Sequence, residues 1–124
     1  MTTELASTAA NTVYNWVVLG TSASTGSRYL TIYEDVDAGT ESAVTRVATS
    51  GVFGSPTAGD GTNTATASFV LPAAQTTIDG AGIFDASSGG NEICRWTITP
   101  RTYAASATCV LNINDLFVNV DGVA

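Results

Sequence analysis

Between Thr64 and Leu71 every second side chain is apolar, with Ala65, Ala67, Phe69 and Leu71 on one side and Thr64, Thr66 and Ser68 on the other. Only an extended strand sorts such a pattern onto two faces, because successive side chains of a pleated ribbon point in opposite directions. The pattern recurs. Tyr29, Thr31 and Tyr33 oppose Leu30 and Ile32, and Cys94, Trp96 and Ile98 oppose Arg95 and Thr97. Ala107, Cys109, Leu111 and Ile113 form a further inward set that Leu116, Val118 and Val120 continue. The chain holds twenty Thr and twelve Gly; the first residue type is stiff and suits strands, and the second punctuates turns.

Strands are predicted over Thr12–Leu19, Arg28–Glu34, Glu41–Ser50 (a segment that also reads as one short helix) and Thr62–Leu71. The clearest hairpin joins Ile78–Phe84 to Glu92–Thr99 across the turn Asp85–Asn91. A turn over Pro100–Ser106 leads to Ala107–Ile113 and to a last strand ending near Asp121, while Gly51–Gly61 reads as a surface loop. No ten-residue amphipathic helix is expected between these runs. The expected fold is all-β, an antiparallel β-sandwich of seven or eight strands with a β-barrel as the alternative. Residues 1–11 read as an arm and residues 12–124 as one domain, a length that one core can stabilise. The expected core comprises Trp16, Phe69, Leu71, Ile83, Cys94, Trp96, Ile98, Cys109, Leu111 and Ile113.

Eleven acidic residues face four arginines, with no lysine and no histidine, for a net charge of −7. Such a field repels phosphate backbones and anionic membranes, so nucleic-acid partners and membrane insertion are not expected. The composition resembles that of proteins from salt-loving organisms, for which stability rises up to molar salt; an acidic mesophilic protein is the alternative reading. The first ten residues lack the basic start and apolar stretch of a secretory signal, which predicts synthesis in the cytoplasm without secretion from the cell that makes the chain. Cys94 and Cys109 match no zinc spacing and read either as small core residues or as an inter-strand disulfide.

Few side chains offer chemistry. Glu34, Asp35 and Asp37 cluster after a strand and could supply a carboxylate pair for hydrolysis, in which case Asp35→Asn abolishes turnover; a solvated acidic turn is the plainer reading. The same cluster, or Asp60 with Asn63, could bind calcium, although neither has EF-hand spacing. No GxSxG elbow and no phosphate loop are present. No cofactor is expected. Tyr29 and Tyr33 are the aromatic side chains placed to contact a glycan or a partner.

The stretch from Gly80 to Gly122 carries Gly82, Ile83, Phe84, Asp85, Ala86, the Gly89–Gly90 turn, an alternating strand and a closing strand pair. In this it resembles small structural proteins of tailed viruses of bacteria and archaea. The preceding half agrees more loosely, through Leu19, Gly20 and Thr21, then Glu41 and Arg46 ahead of the segment Thr64–Leu71. Lysine-free acidity and the two cysteines depart from the pattern, and the acidity would suit a virus of a halophilic archaeon. The resemblance implies a virion structural protein on the particle exterior, either capsid decoration or turret, or tail-fibre or tail-tip subunit. It would act by homo-oligomeric assembly through sheet edges and by docking on other virion proteins. A short chain without a heptad shaft favours the capsid surface. A host-glycan-binding module and a small hydrolase are the rival readings.

Overall fold

The structure, a computed structural model, describes residues 4–20, 26–55 and 60–119. Its largest sheet contains β1 (Glu4–Leu5), β2 (Tyr29–Asp35), β3 (Thr40–Glu41), β4 (Val47–Ala48), β7 (Thr76–Phe84) and β8 (Glu92–Tyr103). They run in the order β1-β8-β7-β2-β3, with β4 also paired to β2. Two short ribbons complete the architecture: β5 (Asp60–Thr62) with β10 (Phe117–Asn119), and β6 (Ala67–Val70) with β9 (Thr108–Leu111). Every pairing is antiparallel. Among the described residues no barrel closes, and the arrangement is an all-β sandwich with one α-helix, α1 (Ser7–Val17).

The core forms where alternation on the large sheet meets alternation on the ribbons. Leu30, Ile83 and Cys94 make one row across β2, β7 and β8, and Ile32, Ala81 and Trp96 make the next. Ala81 leaves the width that the Trp96 indole fills. From the other layer Ala67, Phe69, Leu71, Cys109, Leu111 and Leu116 join these rows in one buried cluster. Between the pairs Ile78–Arg101 and Gly80–Thr97 one residue of β7, Asp79, faces residues 98–100 of β8, and on either side of this irregularity Ile78 and Ala81 are both buried in the core.

Several elements differ from the sequence expectation, each for a local reason. Residues 12–19 are not a strand, because the alanines of Ser7–Thr12 and the spacing of Val13, Tyr14, Val17 and Val18 favour the turns of α1. Trp16 lies in this helix, and its side chain is outside the described part of the structure. Glu41–Ser50 pairs only at its two ends, the stretch between leaving the sheet so that Arg46 can reach across it. Thr62–Leu71 breaks at Asn63, a fully buried amide that donates to the carbonyls of Ala65 (3.0 Å) and Asn112 (2.6 Å) and accepts from the N–H of Leu116 (2.9 Å). These bonds replace the ladder. β8 continues to Tyr103 instead of turning at Pro100, because the widened register opposite Asp79 accommodates a residue without an N–H. Ile113 is corrected from core to surface: it falls in the turn after β9 and is 54% exposed.

Phe69, Leu71, Cys94, Trp96, Cys109 and Leu111 are buried, with Ile83 and Ile98 half-buried against them. Both thiols are free and sit in opposite layers of the sandwich, Cys94 on β8 and Cys109 on β9. Burial pushes the Cys94 thiol up to about 12, which leaves almost no nucleophilic thiolate near neutral pH. Ellman's reagent is therefore expected to find no reactive thiol in the native protein and two after denaturation, and intact mass is expected to be unchanged by reductant apart from adducts.

Candidate functional site

The second face of the large sheet is covered as well. Thr31 and Tyr33 alternate with Leu30 and Ile32, yet all four are fully buried. The partners of Thr31 and Tyr33 on β7 are Gly82 and Gly80, which bring no side chains. The Tyr33 ring lies in the space this leaves. A Cβ on Gly82 would stand 2.6 Å from Tyr33 Cε2 and 3.0 Å from the Cys94 carbonyl oxygen, and one on Gly80 would collide with Val36. Over this floor the Tyr33 hydroxyl donates to Glu92 Oε2. The other oxygen of Glu92 lies 3.1 Å from Arg95 Nε, while Arg95 Nη1 donates to the Val36 carbonyl at 2.8 Å. Val36 is fixed from its other end by its N–H, which donates to Asp79 Oδ1 at 2.9 Å. The turn after β2 is thereby folded down onto the sheet.

A second clamp lies beside the first. The guanidinium of Arg46 makes a two-point pair with Glu41, Nε to Oε2 at 2.8 Å and Nη2 to Oε1 at 2.9 Å. Its Nη1 donates to the carbonyls of Ala86 (2.7 Å) and Gly89 (2.8 Å), and its plane rests 3.8 Å from the centroid of the Phe84 ring. Those carbonyls belong to the β7–β8 turn, which Asp85 shapes by accepting the Asn91 N–H at 2.7 Å. Gly90 has φ +73° there, and a Cβ would lie 2.7 Å from that of Ala86, so only glycine fits. Glu41, Arg46, Phe84, Asp85, Ala86, Gly89 and Gly90, which carry the resemblance to viral structural proteins, thus converge on one structural device.

The protonation states follow from these contacts. Arg46 holds the Glu41 carboxyl below its usual value of 4.5. The backbone and side-chain N–H groups of Asn91 lower Asp85 in the same direction. Burial, then the hydrogen bond and charge of Glu92, push the Tyr33 phenol far above its usual value of 10.0.

The remaining candidates do not assemble a reaction centre. Glu34, Asp35 and Asp37 are exposed around a turn, where Asp35 Oδ1 accepts the Ala38 N–H at 3.0 Å. The amide oxygen of Asn63 accepts the Leu116 N–H at 2.9 Å, and the side chain of Asp60 is outside the described residues. Among the described residues no three His, Cys, Asp or Glu side chains gather as a metal site. Tyr33 is corrected from a contact residue to a buried one, since the glycines opposite it draw its ring onto the sheet, and Tyr29 is half-buried. A hollow of about 170 Å³ lined by Ile98, Thr99, Arg101, Leu111 and Asp115 is smaller than the roughly 300–1,000 Å³ of small-molecule sites. No described helix is long and apolar enough to cross a membrane. At the sheet edges expected to recruit neighbours, β1, β3 and β4 have two residues each, and β8 runs on past the two residues that β1 pairs.

A β-sandwich whose arginines and acids hold its own turns defines a small structural domain. The chain belongs to the family described as podophage GP4 fiber I protein gp80, which matches residues 4–119, and it is therefore a virion structural protein of the phage fibre type. No curated protein matches it.

Arg46 is nearly sequestered, with 6% of its side chain exposed against 26% for Glu41, and removing one member of such a pair strands the other. Arg46→Ala is expected to destabilise the domain by about 3 kcal/mol. Arg46→Lys should recover less than half of this, because a point charge cannot span the fork; urea unfolding measures both.

Stability against pH should have two limbs. Glu41, lowered in the folded state, contributes stabilisation that is complete above 4.5 and drains away as the pH falls through its folded value. Tyr33, raised in the folded state, contributes stabilisation that is complete below 10.0 and declines as the pH rises beyond it. Urea midpoints across the range should show both limbs, and Tyr33→Phe should flatten the alkaline one.

Proposed function

We propose that this chain is a non-enzymatic subunit on the exterior of a tailed phage particle, a tail-fibre component that associates with its own copies and docks on other virion proteins. The observation that carries this reading is the convergence of Glu41, Arg46 and Phe84 on the Asp85–Asn91 turn. The polar residues that could have built a site instead fix a hairpin, within a chain matched almost end to end by a fibre family. That family moves the preference from the capsid surface, favoured by chain length, to a fibre. A decoration or turret position is the competing placement. The glycan-binding reading loses Tyr33, which is buried. The halophilic reading rests on the acidic, lysine-free composition, and a melting temperature that climbs up to molar salt is its test.

Antibody against the purified chain, gold-labelled on intact particles, should mark the tail region in electron microscopy. Label confined to the head would assign the chain to the capsid surface, and particles whose protein content lacks the chain would overturn the virion role.

A further inference from the structure

α1 rests on β8 along one side, where the Ala6 N–H ahead of it donates to the Ile93 carbonyl at 2.7 Å, and turns its other side to solvent. Ala6 precedes it without a side-chain cap, its first turn has no acidic residue and its last turn no basic one. An 11-residue helix without these aids is marginal unless it is buried. Yet every residue from Ala10 to Asn15 is exposed, as are Val17, Val18 and Leu19. Val13 is 42%, Tyr14 56%, Val17 66%, Val18 59% and Leu19 63% exposed; beyond this segment only Val70 and Ile113 are comparable among the described residues. Ala10, Val13 and Val17 follow the three-then-four spacing by which helices pack together, and Tyr14 with Val18 forms the adjoining stripe.

Charge identifies the occupant. Residues 6–27 contain no charged side chain, in a chain whose net charge is −7. Two copies repel each other over most approaches, but on this segment their contact sets no carboxylate against another and desolvates no ion. A basic partner would be drawn to the acidic surface elsewhere, and a lipid surface to a helix with a Lys- and Arg-rich face, which α1 lacks. We infer that α1 is the surface through which copies of this chain associate, with Val13, Tyr14 and Val17 of one copy packed against the helix of its neighbour. The inference rests on the fibre reading only in requiring that copies meet.

The test is the mass of the purified full chain by size-exclusion chromatography with light scattering, from low micromolar to submillimolar concentration. A multiple of 12.6 kDa is expected, with tighter association at raised salt, which screens the like charges. Val13→Glu with Val17→Glu should give the monomer mass with near-UV dichroism and melting retained, since Glu is the better helix former and both positions are exposed. Val13→Thr with Val17→Thr, nearly isosteric, should weaken association at least about tenfold. Val70→Glu, on β6, should leave the mass unchanged. A wild-type chain that is monomeric throughout, or Glu and Thr variants that associate as the wild type does, would overturn the inference. Neither result bears on where antibody labels the particle.

Discussion

The guanidinium of Arg46 joins pieces of chain that strand pairing leaves separate. It grips the Glu41 carboxylate at the sheet edge, two carbonyls of the β7–β8 turn and the face of Phe84. The fork needs planar, bidentate geometry, and this dictates what surrounds it. The segment between β3 and β4 must leave the sheet to deliver Arg46, and the turn must present its carbonyls outward, which requires glycine in the left-handed region at positions 89 and 90. Beside it, Tyr33, Glu92 and Arg95 tie the Val36 turn over Gly80 and Gly82. Around Thr31 and Tyr33 the sheet is consequently covered on both faces, on one by apolar packing and on the other by charge-assisted hydrogen bonds.

Period-two alternation made the sheet legible. The hairpin of β7 and β8, the inward set of Phe69, Leu71, Cys109 and Leu111, and the opposition of Leu30 and Ile32 to Thr31 and Tyr33 all follow from it. It could not show that the Thr31–Tyr33 side is covered too, because that depends on glycines distant in sequence, Gly80 and Gly82, that pair with them on β7. α1 was misread because Val17 and Val18 are β-branched, and the alanines ahead of them lay in what looked like an unstructured arm. Ile113 kept the alternation but fell beyond the end of β9, where a turn with Asn114 at positive φ takes over.

Of the site, the sequence disclosed the members and not the bonds. Glu41, Arg46 and the Phe84–Gly90 motif were recognisable as features shared with viral structural proteins, but nothing in their order indicates that one arginine unites them. The acidic cluster at Glu34, Asp35 and Asp37 attracted catalytic and metal readings because carboxylates close in sequence suggest a joint task. In the structure they ring an exposed turn, with Asp35 bonded to its own backbone. Membership in a fibre family agrees with this use of polar groups for shape.

The large sheet keeps β2 and β7 in its interior, carries two-residue stubs at its margins, and on one side is bounded by β8 once β1 has ended. β8 beyond the reach of β1 carries a bulge and Pro100. Such margins give an incoming ribbon little to zip against. A proline and an interrupted ladder at a sheet margin are devices that discourage open-ended, fibril-like stacking of ribbon upon ribbon.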